Sequence, residues 1–326
     1  MRVSIKSIAK DLNISHMTVS RALSAHPNVN AKTREMVLRR AQEVGYVKNR
    51  AANTMRGEST GIVGLLLPNI VNDFYARFAN ELGLLCSDSG LDLLVNLTND
   101  DPAREQAGLD KLLTLQASSV IFVPTPGDET RPVSPRDSTH FIELIRTRSA
   151  ERRCLLVEDE QALRAAIAHL AARGCRRIGY IGAAPGLSSG QRRQQAYLEA
   201  LNEAGFVPDQ TLTRLGDPGR NFGMASMIDL LDNPNAPDGV LCGGFEISNG
   251  ALEGCLTRGV QFPNQLAFVG YGDPELYRWL AGGISTVSVD AESLARQAIL
   301  MVLAGPDLAD PILPQVQAHL VLRQSA

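Results

Sequence analysis

Apolar positions in the first fifty residues recur at helical spacing in three short bursts. Ile5, Ile8, Ala9 and Leu12 make the first, Val19, Ala22 and Leu23 the second, and Val37, Ala41 and Val44 the third. Three amphipathic helices sharing one small core are therefore expected. Ser4, Ser15 and Asn30 stand where a side-chain oxygen would accept an otherwise orphaned amide of each first turn. Asn13 suits the tight turn between the first two helices, because a short polar side chain tolerates positive φ, and Gly45 suits the stop of the third. Two short helices about a tight turn read as a helix-turn-helix, whose second member would present His16, Met17, Ser20 and Arg21 to solvent.

After residue 60 the pattern changes to apolar runs separated by longer amphipathic stretches. Strands are predicted at 62–67, 91–97, 120–123, 141–145, 155–157, 178–181, 211–215, 240–242, 267–269, 286–289 and 316–322. Helices between them include 103–115, 161–173, 192–204 and 292–303. Continuous apolar strands joined by amphipathic helices imply parallel sheets covered on both faces. So many strands exceed one compact sheet, and two lobes are expected. The segment between, VKNRAANTMRGEST, is polar and basic and cannot bury a core of its own. The expected plan is a helical head at 1–46, a linker or hinge helix at 47–60, and an α/β body at 61–326.

Charge sharpens the division. The 326 residues carry a net charge of only −3, yet residues 1–60 hold eleven Lys/Arg against four Asp/Glu, leaving +7 on the head and −10 on the rest. A basic head on an acidic body is the footprint of a module that must neutralise phosphates. The N-terminus lacks the apolar segment of a secretory signal, and no run approaches the ~18 to 20 apolar residues of a membrane span, so a cytoplasmic protein without a membrane partner is expected. Five scattered cysteines, Cys86, Cys154, Cys175, Cys242 and Cys255, read mostly as buried thiols. His140, His169 and His319 are too dispersed to suggest a metal, and no cofactor is expected.

The stretches IKSIAKDLNIS, TVSRALS, VNAKTREMV, GYVKNRAA and GIVGLLLPN resemble the lactose/galactose repressor family of bacterial transcription regulators, and the similarity runs over essentially the whole chain. The resemblance implies a head that binds a double-stranded DNA operator and a two-lobed body like the periplasmic sugar-binding proteins, with the chain crossing between lobes near Glu158, near Asp290 and close to the C-terminus. On that basis His16, Met17 and Arg21 are assigned to base edges, and Thr18, Ser20, Asn30, Lys32 and Thr33 to phosphates. Asn49, Arg50 and Met55 belong to a hinge that enters the minor groove, Met55 standing where the family usually carries Leu and Lys48 where it often carries Pro. Two heads reading a pseudo-palindrome imply a homodimer. Without a C-terminal heptad repeat, a dimer is expected over a tetramer.

Ligands in such α/β folds bind beyond the carboxyl ends of strands. The loops found there carry Phe74 and Tyr75 after the first strand, and Ser188, Ser189, Arg192 and Arg193 after Ile181. The family's effector-binding Arg falls on Arg193. Two departures stand out: Gly244 and Phe245 replace the family's Asn-Asp pair, and Gly272 stands where the family is acidic, with Asp273 one place later. The expected effector set is therefore Phe74, Tyr75, Ser189, Arg193, Phe245 and Asp273. The expected ligand is carbohydrate-derived (a sugar, sugar acid or sugar phosphate), with anionic or partly apolar forms favoured over a neutral sugar; weak effector control altogether is the alternative the same departures leave open. Two other classes are weighed. Residues 186–190 satisfy the G-x-S-x-G pattern of an α/β serine hydrolase using Ser188, with Asp217 or Asp273 and His319 following in order. Against this, six residues separate Ser188 from the strand end at Ile181, and His319 falls inside a predicted strand. A receptor without DNA function is disfavoured by the basic head.

Overall fold

The computed structural model describes residues 4–24, 26–46, 60–127, 139–148, 153–305 and 316–326. The chain divides into two compact units, Met1–Thr60 and Gly61–Ala326.

The first unit is three helices: α1 (Ile5–Asp11), α2 (His16–Leu23) and α3 (Ala31–Glu43). Each begins at the residue whose side chain can cap it. Ser4 and Ser7 form a reciprocal capping box on α1, Ser15 Oγ accepts the Thr18 amide, and Asn30 Oδ1 accepts the Thr33 amide at 2.7 Å. Asn13 takes φ 52° in the turn between α1 and α2, as its short polar side chain allows. Ile8, Ala9, Val19, Ala22, Val29, Val37 and Ala41 are buried together. Arg40 closes the outside by reaching from α3 to Asp11 of α1 at 2.7 Å.

The second unit contains two parallel sheets. The first, in the order β2-β1-β3-β4-β5, is made of β1 (Ile62–Leu67), β2 (Asp92–Leu97), β3 (Ser119–Phe122), β4 (His140–Leu144) and β5 (Cys154–Leu155). Its helices are α4 (Asp73–Asp88) and α5 (Pro102–Thr114). The second sheet combines β7 (Ile178–Ala183), β8 (Thr213–Gly216), β9 (Gly239–Cys242), β10 (Ala267–Tyr271), β11 (Ser285–Ser288) and β13 (His319–Val321), in the order β13-β11-β10-β9-β7-β8. Only β13 runs antiparallel. Around it lie α6 (Glu160–Ala172), α7 (Ser188–Glu203), α8 (Arg220–Leu231) and α9 (Phe245–Thr257).

Two runs read as single strands in the sequence are each divided, because the chain changes lobe inside them. Residues 155–157 split into β5, at the edge of the first sheet, and β6 (Val157–Glu158). Residues 316–322 split into β12 (Val316–Gln317) and β13. β6 and β12 pair with each other as a separate two-stranded ribbon, continued by the Ala318 amide donating to the Glu158 carbonyl at 2.9 Å. The third passage follows β11, where Asp290 caps α10 (Ala291–Ala304), which returns to pack on α4. α7 starts four residues earlier than its apolar period suggests. Ser188, Ser189 and Gly190 look like loop, yet Gly190 belongs to the first turn because a Cβ there would press on the carbonyls of Ala183 and Ala184.

Cys86, Cys175, Cys242 and Cys255 are buried, while Cys154 is half-exposed. Burial pushes the Cys86 thiol up to about 11 and the Cys255 thiol up to about 12, as expected of inert packing residues. No described helix is long and apolar enough to cross a membrane.

So small a helical core leaves little margin. Ile8, 1% exposed, is its largest member, and Ile8→Ala is expected to cost about 2–5 kcal/mol. Thermal denaturation followed by circular dichroism should lose the head's contribution while the melt of the α/β unit is retained.

Candidate functional site

In the head, Val19 and Ala22 turn inward, so the 100° step of the helix carries His16, Met17 and Arg21 outward. All three are exposed, Met17 by 55% despite its apolar side chain. Arg21 makes no ion pair among the described residues. Asn30 and Lys32 are exposed at the start of α3, and Thr18, Ser20 and Thr33 are half-buried. Two of the expected phosphate contacts are also engaged within the head, where Thr18 Oγ1 shares a 2.9 Å hydrogen bond with Ser15 Oγ and Asn30 spends its carbonyl oxygen as a cap. Asn49, Arg50 and Met55 lie outside the described residues.

In the body, the carboxyl ends of β1, β7, β9 and β10 meet at a cleft between the lobes. Asp159, just past the β6 crossover, sits at its base and is 1% exposed. Its Oδ2 accepts from Arg193 Nε at 2.5 Å and from the Tyr271 hydroxyl at 2.5 Å. Arg193 also donates from Nη1 to the Gly243 carbonyl at 3.2 Å and lies 4.0 Å over the Tyr271 ring. Burial disfavours the Arg193 charge, but the Tyr271 phenol and the Asp159 carboxylate beside it outweigh that and raise the guanidinium's pKa. Burial likewise drives the Tyr271 hydroxyl well above the ordinary phenol range. Across the cleft, Arg146 Nη1 donates to Asp100 Oδ1 at 2.5 Å. Asn99 and Asp100 both take positive φ to place that carboxylate.

The expected effector residues fall out unequally. Phe74, Tyr75, Ser189 and Arg193 are buried in or beside the cleft, and Phe245 lies half-buried within it. The Phe74 ring, from the first lobe, stacks on Phe245 at 4.6 Å, and Phe245 meets Tyr271 edge-on at 5.0 Å. Asp273 is differently placed: Arg323 grips it through two hydrogen bonds at 2.8 and 2.9 Å, and it reaches only a side cavity of 20 Å³. The cleft space beside Phe245, about 60 Å³, is bounded by Asn69, Tyr75, Arg146, Ser189 and Arg193 among others; a larger inter-lobe space of about 240 Å³ shares Arg146 and Leu187 with it, and each is below the ~300 Å³ from which ordinary ligand pockets begin. Sequence reasoning missed Asp159, Tyr271 and the Asp100–Arg146 pair. A carboxylate directly beside a crossover and a tyrosine closing a buried strand were the available signals.

The rival hydrolase set is not assembled. Ser188 Oγ accepts the Thr147 amide at 2.9 Å, Asp273 is held by Arg323, and His319 is exposed on β13 opposite Ser288. Among the described residues no hydrogen bond joins these side chains.

Residues 4–49 match the family described as bacterial regulatory proteins, lacI family, and residues 167–326 match the periplasmic binding protein-like domain. The chain belongs to the lactose/galactose repressor family. Members of this family similar to it include catabolite control protein A of Priestia megaterium, 23% identical with all of this chain and 99% of that protein covered, and the regulator CelR of Thermobifida fusca, 26% identical over 99% and 98%. A lac repressor dimer bound to operator and the anti-inducer ONPF shares the fold at TM-score 0.87 and 20% identity, covering 100% of this chain and 99% of that one. The CelR–cellobiose complex, at 23% identity and full coverage of both chains, gives 0.72.

The Asp159–Arg193 pair, with side chains 2% and 7% exposed, is worth most as a pair. Removing one partner strands a buried charge, and Asp159→Ala is expected to destabilise the body by about 3–5 kcal/mol. Urea denaturation would show it as a fall in midpoint, and Asp159→Asn should lose less because it can still accept from Arg193.

Proposed function

We propose that the protein is a dimeric repressor whose two heads read a pseudo-palindromic operator and whose inter-lobe cleft takes a small carbohydrate-derived effector. The observation that carries the DNA half is the exposed face of α2: a helix capped and buried on one side, with His16, Met17 and Arg21 outward, in a basic head. Arg21 is the one cation on that face, and its fork suits the paired acceptors of guanine. Met17 offers an apolar contact of the kind a thymine methyl accepts. The family's cytoplasmic setting and non-enzymatic role come with this reading.

The dimer reading rests on an apolar patch beside β2, the edge strand of the first sheet. Val95 and Leu97 are 40% and 46% exposed, and the β1 register sets Leu97 opposite Leu67, at the loop carrying exposed Ile70 and Val71. The last described strand of a sheet, carrying exposed apolar side chains beside an exposed apolar loop, calls for a covering partner. A second copy supplies one and brings two heads to one DNA duplex.

For the effector, both arginines of the cleft are already neutralised, Arg193 by Asp159 and Arg146 by Asp100. An anionic ligand must displace one of these carboxylates. A polyol can instead share the existing donors and acceptors. Sugar hydroxyls therefore regain ground over the acid or phosphate favoured by the bare presence of Arg193.

Arg21→Ala is expected to cost about 1–3 kcal/mol on the preferred operator and far less on random DNA. Equal losses on both, measured by fluorescence anisotropy at fixed salt, would make Arg21 a phosphate contact. Val95→Asp should convert the protein to monomer in analytical ultracentrifugation and weaken operator binding with it, since each half-site then loses its tethered neighbour.

A further inference from the structure

Two departures from the family pattern, far apart in sequence, meet in space. Phe245 occupies a position where the family carries an acidic residue, and its ring lies against Gly272, the other position that has lost an acid. A Cβ on Gly272 would run into the Phe245 ring at Cδ1 and Cε1, and Gly272 itself takes φ +84°, which side-chain-bearing residues adopt only with strain. Gly272 is thus the socket and Phe245 the plug. The ring stacks on Phe74 from the opposite lobe and abuts Tyr271 behind it. It also lines both the 60 Å³ cleft space and the 20 Å³ side cavity.

We propose that Phe245 is a built-in occupant of the cleft, holding the lobes together without a ligand, so that an effector acts by displacing its ring from Phe74. The proposal rests on the reading of this cleft as the effector site and specifies how that site is used. A ligand that fills an open cleft gains closure as part of its binding. Here closure precedes the ligand, and the apolar contact of Phe245 with Phe74 across the cleft is already made by the protein. The occupant that competes must therefore present an apolar face to Phe74, as a planar ring or the carbon face of a pyranose does, with polar edges toward Asn69, Ser189 and Asp100. A small, uniformly hydrated ion offers no such face. The physics is that of a displaced internal ligand: effector affinity is reduced by whatever free energy the plug contributes to closure.

The test uses the full-length protein, with phenol as a small planar probe. Phe245→Ala should increase the radius of gyration measured by small-angle scattering and bind phenol at least about tenfold more tightly than the wild type in calorimetry. Phenol should then return the scattering toward the wild-type profile. Phe245→Leu guards against a folding failure: it keeps apolar volume, should fold, and should fall between the two in scattering and phenol affinity. Gly272→Ala gives the second arm, lowering the melting temperature strongly in the wild type and less in the Phe245→Leu background, where the smaller side chain relieves the collision. An unchanged radius of gyration in Phe245→Ala, equal phenol affinity in wild type and variant, or the same Gly272→Ala penalty in both backgrounds would each overturn the proposal. None of these readouts involves a natural effector, so failure of the cleft as an effector site and failure of the plug are told apart.

Discussion

A carboxylate cannot be taken out of water at the junction of two lobes unless something compensates its charge, and the body is arranged around meeting that demand at Asp159. The residue follows β6 by one position, where the chain leaves the first sheet for the second. Arg193 reaches it from the first turns of α7 and Tyr271 from the end of β10. Two separate elements of the second lobe are thereby fixed to the crossover, and Arg193 ties in a third through the Gly243 carbonyl just past β9. The gain over an apolar equivalent is small, because desolvating the pair consumes most of its attraction. Its effect is on geometry: the start of α7 and the ends of β9 and β10 are held in one register relative to the passage between lobes, and the cleft inherits its shape from that.

How far the sequence could be read depended on how local the signal was. The caps Ser4, Ser15 and Asn30 and the αL turn at Asn13 act within four residues, and each sits where expected. β1 and β9 were plain because both faces are covered, so their apolar runs are unbroken. The reading weakened where tertiary contacts decide. Residues 155–157 and 316–322 have uniform strand character, and only the pairing of β6 with β12 shows that the chain changes lobe within them. The Gly-Ser content of residues 186–190 suggested loop, whereas packing on β7 makes a helix of its second half. In the cleft, Arg193 was visible but its partner was not, because Asp159 lies across 34 residues of chain. An arginine that seemed a free fork for an anion is instead already paired. Asp273, grouped with the ligand residues by its loop, is drawn off by Arg323 from the C-terminal segment.

The changed cleft need not mean a lost function. Replacing acid and amide by Phe245, Gly244 and Gly272 removes polar anchors, yet the replacements fit one another and continue the hydrophobic core from α4 into β10. The place beside Gly272 is filled by the Phe245 ring, which in turn stacks on Phe74. The head shows the complementary pattern, with every helix capped at its start and the outward face of α2 presenting His16, Met17 and Arg21 to solvent. One unit is finished inside and open outside to DNA, the other closed around its own side chain.

The claim that joins them is that the cleft governs the head. It is tested most directly by selecting the preferred duplex for the full-length protein from random DNA. Its affinity is then measured at fixed salt with and without a series of sugars, sugar acids and sugar phosphates. The account predicts an inverted repeat whose affinity changes by a factor of about 5 to 150 with one ligand class and not with the others. An unpaired half-site, or an inverted repeat indifferent to every member of the series, would contradict it.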